Sequence, residues 1–265
     1  MDIWQIIIAL IQGLVEWLPI SSEGQIVFYV SNFTSLDPSD ALSLAVWLHL
    51  GTSLAVIVRY PRIFLNLLSL KDKVLLKRLI LATVGTVLTG IPLYIFLKNS
   101  ISLFQGMLLN IFVGGLLLVT ALFLYLPTRQ TVDTDNEPEV RDVTDKEALV
   151  TGIVQGSAVL PGLSRSGVTV SSLLMQRVDK ETALRFSFLM SVPAVLGILV
   201  LEIITGATIP AGVTIIDMAI IEAIVFVVGL ASMEFLLRLA RTVSFWKLCL
   251  VLAAIAIILG IPALF

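Results

Sequence analysis

Apolar residues fall into eight runs, about 3–30, 41–58, 79–97, 104–126, 149–174, 184–204, 215–237 and 246–264, separated by short polar stretches. Several approach or exceed the ~20 residues that cross a bilayer as a helix. The first and fifth runs differ from the rest. The first is interrupted at Pro19 to Gln25 (PISSEGQ), the fifth at Pro161 to Thr169 (PGLSRSGVT). Proline ends a helix, and loop backbone facing lipid would leave its amides unpaired. These two runs therefore read as re-entrant helical hairpins whose turns are buried in protein or line a wet cavity. Residues 128–147 carry Asp133, Asp135, Glu137, Glu139, Asp142, Asp145 and Glu147 and read as a solvated linker.

The pattern recurs. An offset of 143 places Gln12-Gly13 on Gln155-Gly156, Ser21 on Ser164 and Gly24 on Gly167; an offset of 142 places Ala41-Leu42 on Ala183-Leu184. One hairpin and three crossings per half is an odd number of crossings, so the second half is expected upside down relative to the first. The basic residues agree with that. Arg59, Arg62, Lys71, Lys73, Lys77 and Arg78, then Arg129, Arg141 and Lys146, then Arg177, Lys180 and Arg185, then Arg238, Arg241 and Lys247 all fall on one face, with Lys98 on the other. By the positive-inside rule that face is cytoplasmic. The expected fold is an all-α membrane protein of six transmembrane helices plus two re-entrant hairpins. Residues 1–127 form the first inverted repeat, 128–147 a cytoplasmic acidic linker and 148–265 the second. Both termini are expected outside the cytoplasm.

Composition narrows the class. The chain is 58% apolar and 14% charged, with a mean hydropathy of +1.03; soluble domains carry about 25% charged residues. A multi-pass protein of the cell membrane is expected, with the bilayer as a partner and no nucleic acid; a homodimer is compatible with the sequence. One cysteine, Cys249, excludes an internal disulfide framework or a Cys-based metal site. Asp2 and the absence of a basic leader argue against a cleaved signal peptide.

The chemistry concentrates in the two interruptions. An arginine at the depth of Arg165 costs roughly 2.5–3.5 kcal/mol at a helix centre even on lenient insertion scales. Around it stand Gly162, Ser164, Ser166, Gly167 and Thr169. A guanidinium with converging hydroxyl and amide donors suits an anion, phosphate best. In the first hairpin Gln12 and Glu16 are four residues apart and share a helix face. Glu16 and Glu23 are carboxylates that suit a divalent cation such as Mg2+ or Ca2+, or general acid–base work. Inverted hairpins meeting at mid-membrane would bring acid and base together. Blander roles stand beside these. Glu16 and Arg165 can be a structural ion pair, Ser and Gly can serve close packing, and His49 can satisfy a local hydrogen bond.

These residues resemble the undecaprenyl-diphosphatase family of the bacitracin-resistance type, over most of the chain. Pro161 to Thr169 matches that family's PGxSRSxxT. Gln12 and Glu16 meet its (E/Q)xxxE, and Pro19, Ser21, Ser22 and Gly24 its P-x-S-S-x-G. The resemblance implies a metal-dependent pyrophosphatase acting on a polyprenyl diphosphate, with six crossings and two re-entrant hairpins. It makes Glu16 an acidic catalytic residue, Ser22 a nucleophile or phosphate contact, Arg165 the phosphate clamp, and Ser164 and Thr169 supporting ligands. Two positions depart from the family. Its histidine after the glycine is Gln25 here, and its small or hydroxylic residue before the glycine is Glu23.

The reading is a membrane phosphatase that converts a polyprenyl diphosphate to the monophosphate and phosphate. Its catalytic candidates are Glu16, Ser22, Glu23, His49 and Arg165. Substrate contacts are Gln12, Ser21, Gln25, Gly162, Ser164, Ser166 and Thr169, and the metal candidates are Glu16 and Glu23. The alternative is a polyprenyl-phosphate flippase or transporter with weak or no hydrolysis; a small-anion carrier is a third reading.

Overall fold

The computed structural model describes residues 2–100, 107–129, 141–206 and 213–264. Asp133, Asp135, Glu137 and Glu139 of the expected linker lie outside the described residues, as do residues 104–106 of the fourth apolar run. Among the described residues every regular element is helical.

The first run is two helices. α1 (Ile3–Val15) ends at Glu16, and α2 (Ser22–Phe33) begins after a turn through Pro19. α3 (Pro38–Arg59) starts on a proline, which suits the first helical turn because its missing N–H needs no partner there. A short helix, α4 (Pro61–Leu68), was not legible as an element of its own. α5 (Lys73–Ser100) and α6 (Met107–Tyr125) complete this half. The fifth run is again two helices, α7 (Asp145–Gly156) and α8 (Arg165–Met175), broken by the 3-10 turn Ser157–Val159 and the loop from Leu160 to Ser164. α9 (Lys180–Ile204), α10 (Ile215–Thr242) and α11 (Phe245–Gly260) follow.

Length separates the elements. α1, α2, α7 and α8 have 13, 12, 12 and 11 residues, so each spans only about 17–20 Å at 1.5 Å per residue, short of the ~30 Å hydrocarbon core. Among the described residues five helical stretches are long and apolar enough to cross: those of α3, α5, α6, α9 and α10. The sixth expected crossing, 246–264, is the 16-residue α11 extended by the 3-10 turn Ile261–Leu264. Burial sorts the crossings into layers. The apolar window of α3 is 61% buried, those of α5 and α10 only 22%, so α3 is central while α5 and α10 present Val84, Leu88, Phe96, Ile216 and Val227 outward.

Each short-helix pair packs on a long helix of the other half: α1 on α10, α7 on α5. α6 lies along α11, and α3 contacts α9 and α10. The α5–α7 contact is made by small residues. A Cβ on Gly152 would lie 2.0 Å from the Ala82 carbonyl oxygen, and the hydroxyl of Thr89 donates to the Ile153 carbonyl at 2.8 Å. Without water to squeeze out, close backbone approach and interhelical hydrogen bonds carry such interfaces.

Charges collect at the two ends. Arg59 pairs with Glu234, Arg78 with Asp142, Lys77 with Asp145 and Arg141 with Glu147 at one end. The Arg141 fork and the Thr144 cap hold the Glu147 carboxyl down at about 2. Lys98, about 30 Å along α5 from Arg78, sits with Tyr94, Glu202 and Thr205 at the other.

Gly152→Val should force α5 and α7 apart and destabilise the protein by about 1–3 kcal/mol, the usual cost of overpacking. Gly115→Ala, where a Cβ meets nothing within 4 Å, should be near neutral. Thermal unfolding of both variants in one detergent checks the contrast.

Candidate active site

The two interruptions meet. Ser21 caps α2 from a left-handed backbone, φ 60°, a conformation that costs a side-chain-bearing residue and persists where surroundings fix it. Its hydroxyl accepts the N–H of Gly24 at 3.2 Å and, from the opposite turn, the N–H of Gly162 at 3.0 Å. Gly162 needs to be glycine: its φ is +118°, and a Cβ would lie 2.7 Å from the Val113 carbonyl oxygen. Thr120 of α6 ties down the second turn, donating to the Gly162 carbonyl at 2.8 Å and accepting the Ser164 N–H at 3.1 Å. Ser164 then caps α8 through the Gly167 N–H at 3.2 Å. The N-termini of α2 and α8 thus face one another, and helix N-termini favour anions.

Arg165, the first residue of α8, forms an ion pair through Nη2 with Glu16 Oε1. The partners lie 149 residues apart in sequence, and their side chains are 15% and 4% exposed. The other carboxylate oxygen, Oε2, accepts from Gln12 Nε2 at 3.0 Å and from the Ser22 hydroxyl at 2.7 Å, and His49 Nε2 lies 3.4 Å away. His49 Nδ1 sits 2.7 Å from the Ala45 carbonyl oxygen, so Nδ1 carries a proton. Nε2 can then donate to Glu16 only from a protonated ring. Behind Arg165, Nη1 donates to the Ser187 carbonyl at 3.4 Å, and the Thr169 hydroxyl bonds the Arg165 carbonyl and the Ser187 hydroxyl at 2.8 and 2.7 Å.

These groups line a polar cavity of about 30 Å3: Glu16, Ser21, Ser22, Glu23, His49, Ser164, Arg165 and Ser166. It abuts a larger apolar groove of about 170 Å3 between α5 and α9, walled by Val87, Ile91, Val195, Ile198 and Leu201. Glu23, His49, Ala158 and Arg165 line both. The space is therefore amphipathic, with a small polar head chamber and a long apolar arm.

Eight of the residues expected from sequence thus converge on one chamber. Gln12, Gly162 and Thr169 stand behind it, supporting Glu16, Ser21 and Arg165. Gln25 does not reach it: its amide donates to the Ile20 carbonyl at 3.4 Å. Sequence reasoning missed Thr120 and Ser187, whose only signal was a hydroxyl inside an apolar run, and Gln155 and Ser191 on the groove.

The donor set discriminates between the two metal candidates. Both oxygens of Glu16 are engaged by protein groups. Glu23 is 8% exposed and its Oε1 is buried without a hydrogen-bond partner. Among the described residues no three His, Cys, Asp or Glu side chains are grouped to hold a metal by themselves. The free carboxylate of Glu23 fits a hard divalent cation that draws its remaining oxygen ligands from phosphate and water.

Residues 5–259 match the family model of bacitracin resistance protein BacA. The chain belongs to the BacA family. A protein named undecaprenyl-diphosphatase from Methanothrix thermoacetophila is 37% identical over 254 residues, covering 96% of this chain and 95% of its own length. Another of that name from Methanopyrus kandleri is 37% identical over 270 residues, covering 99% and 97%. A third, from Haloarcula marismortui, is 34% identical over 271 residues, covering 97% and 96%. In this BacA-family chain both turns and both long-helix partners lie inside the matched region, so the whole chamber belongs to the shared frame.

Proposed function

We propose that this chain is a membrane phosphatase that removes the terminal phosphate of undecaprenyl diphosphate, or a similar polyprenyl diphosphate, leaving the monophosphate carrier lipid and inorganic phosphate. One observation carries the reading: a chamber holding a guanidinium, hydroxyls and two helix N-termini shares a wall with an apolar groove. Such a space suits an anionic head on a hydrocarbon tail. The shared name of the relatives supports the same substrate. No feature of the site favours a transporter that leaves the anhydride intact.

The residues divide the work as follows. The terminal phosphate displaces Glu16 from Arg165, whose planar fork then grips phosphoryl oxygens. Ser164, Ser166 and the N-terminal amides of α8 add donors for the charge that grows in the transition state. Glu16, released from Arg165, still holds the Ser22 hydroxyl at 2.7 Å and takes its proton. Ser22 Oγ bonds to phosphorus, the bridging P–O bond breaks, and the prenyl monophosphate departs with the bond electrons. Water then cleaves the phosphoserine to phosphate and free Ser22. His49 Nε2, 3.4 Å from Glu16 Oε2, stands against the same carboxylate. A divalent cation, Mg2+ or Ca2+, supplies neutralisation of phosphate charge when bound.

The reading includes a topology. α1–α2 and α7–α8 are re-entrant hairpins, and α3, α5, α6, α9, α10 and α11 cross the membrane. The halves 1–127 and 148–265 are inverted, with the basic end cytoplasmic and both termini outside. The short helices, the segregated charges and the reciprocal packing of α1 on α10 and α7 on α5 support it. Cys249 is buried, so Ser69→Cys and Asn99→Cys can be labelled over a low background. Ser69→Cys should label from inside only and Asn99→Cys from outside only; labelling of both from one side removes the inversion.

Arg165→Lys should lower kcat/KM for polyprenyl diphosphate by about 10²–10³-fold, because a point charge does not replace the fork. Phosphate release by folded, purified variant is the measurement, and near-wild-type release would remove the clamp. Gly197 lines the groove and its Cβ position is open. Gly197→Phe should raise KM for a long-chain polyprenyl diphosphate while changing hydrolysis of a short-chain diphosphate little. Equal effects on both substrates would place the tail elsewhere.

A further inference from the structure

One acid of the chamber has no protein partner. Glu16 and Arg165 cancel one another, and the one imidazole, His49, also faces Glu16. Glu23 is left over. It lies in the first turn of α2, on the wall shared by the polar chamber and the groove, and is 8% exposed. Its Oε1 is sealed from the surface, and no protein donor reaches it among the described residues. The elements around it bring no further cation. α5 offers Thr83 and Thr86, the turn after α7 offers Ala158 and Val159, and α9 offers Ser191. Gln25, two residues on, is neutral and bonded to the Ile20 carbonyl. A diphosphate entering this chamber therefore meets an uncompensated carboxylate where its prenyl-bearing phosphate must sit. When Arg165 turns from Glu16 to phosphate, a second carboxylate is uncovered. Like charges packed in a water-poor cavity oppose binding strongly, and an isolated buried carboxylate gives the fold nothing in return.

We infer that Glu23 is the carboxylate through which this chain holds its divalent cation, that Glu16 is not a ligand, and that cation and diphosphate enter as a unit, each binding weakly without the other. The inference rests on the phosphatase reading for the identity of the anion. It explains how a site without a three-ligand protein cage can still use a metal. One carboxylate plus substrate phosphates and water is a common way to hold Mg2+. It also assigns the two acids different tasks: Glu16 is bonded to the nucleophile, and Glu23 faces the incoming charge.

The test uses the purified full chain in nanodiscs, freed of metal by chelation. Mn2+ binding is followed by electron paramagnetic resonance, with and without a non-hydrolysable methylene-bisphosphonate analogue of a short prenyl diphosphate. The Mn2+–analogue complex formed with protein-free nanodiscs is subtracted. The analogue should raise Mn2+ affinity by at least about tenfold, and by linkage Mn2+ should raise analogue affinity by the same factor. Glu23→Gln should abolish this coupling. The variant loses no hydrogen bond, so its metal-free melting temperature should equal or exceed that of the wild type. Glu16→Gln should keep the coupling while losing hydrolysis. Mn2+ binding that ignores the analogue, or coupling that survives Glu23→Gln but not Glu16→Gln, overturns the inference. Phosphate release in chelator at the rate seen with Mn2+ also overturns it and leaves the phosphatase reading standing. Coupled binding without any phosphate release from polyprenyl diphosphate keeps Glu23 as the cation's ligand and overturns the phosphatase reading instead.

Discussion

The buried pair of Glu16 and Arg165 is the constraint on which the rest of the molecule depends. Neither charge is tolerable alone at this depth. Each comes from the turn of a different short-helix pair, so the chain can bury one only by bringing the other to it. That requirement fixes the relative placement of the two turns, which Ser21, Thr120 and Gly162 then bolt together. The pair is also the resting form of the proposed catalyst. A phosphate takes the place of Glu16 on the guanidinium, and the displaced carboxylate is left holding the Ser22 proton. In that proposal the same two residues serve stability when the chamber is empty of substrate and chemistry when it is filled.

The surrounding helices make that exchange possible by being unequal. Under the 143-residue offset, Glu16 corresponds to Val159 and Ser22 to Arg165. In the proposed reading, the repeat carries acid and nucleophile on one turn and the cation on the other. Where a second acid would stand, Val159 instead walls the apolar groove. Small residues let α7 press against α5 below the groove, and Pro193 and Gly197 on α9 leave its opposite wall open.

Much of this architecture could be read from local pattern. Apolar runs, the breaks at Pro19 and Pro161, and the segregation of lysine and arginine are properties of neighbouring residues, and local sterics and hydropathy act on neighbours. The same holds for the motif around Arg165, where the cost of a lone charge announced that a partner existed. α4 was not legible because its eight residues are too few to set a period. Thr120 and Ser187 were not legible because one hydroxyl in an apolar run looks alike whether it packs or bonds.

The sequence by itself determined that the chain is helical and membrane-embedded, that its two interrupted runs carry the polar chemistry, and that Arg165 calls for an anionic partner. Only the tertiary structure decided which acid. Glu16 and Glu23 are equivalent in composition and close in sequence, yet one is fully engaged and the other is without a donor. It likewise turned Gln25 away from the chamber and set that chamber against a groove between α5 and α9. The reason is physical. Which way a buried side chain points is set by the packing of helices more than a hundred residues apart, and no local spacing encodes that distance.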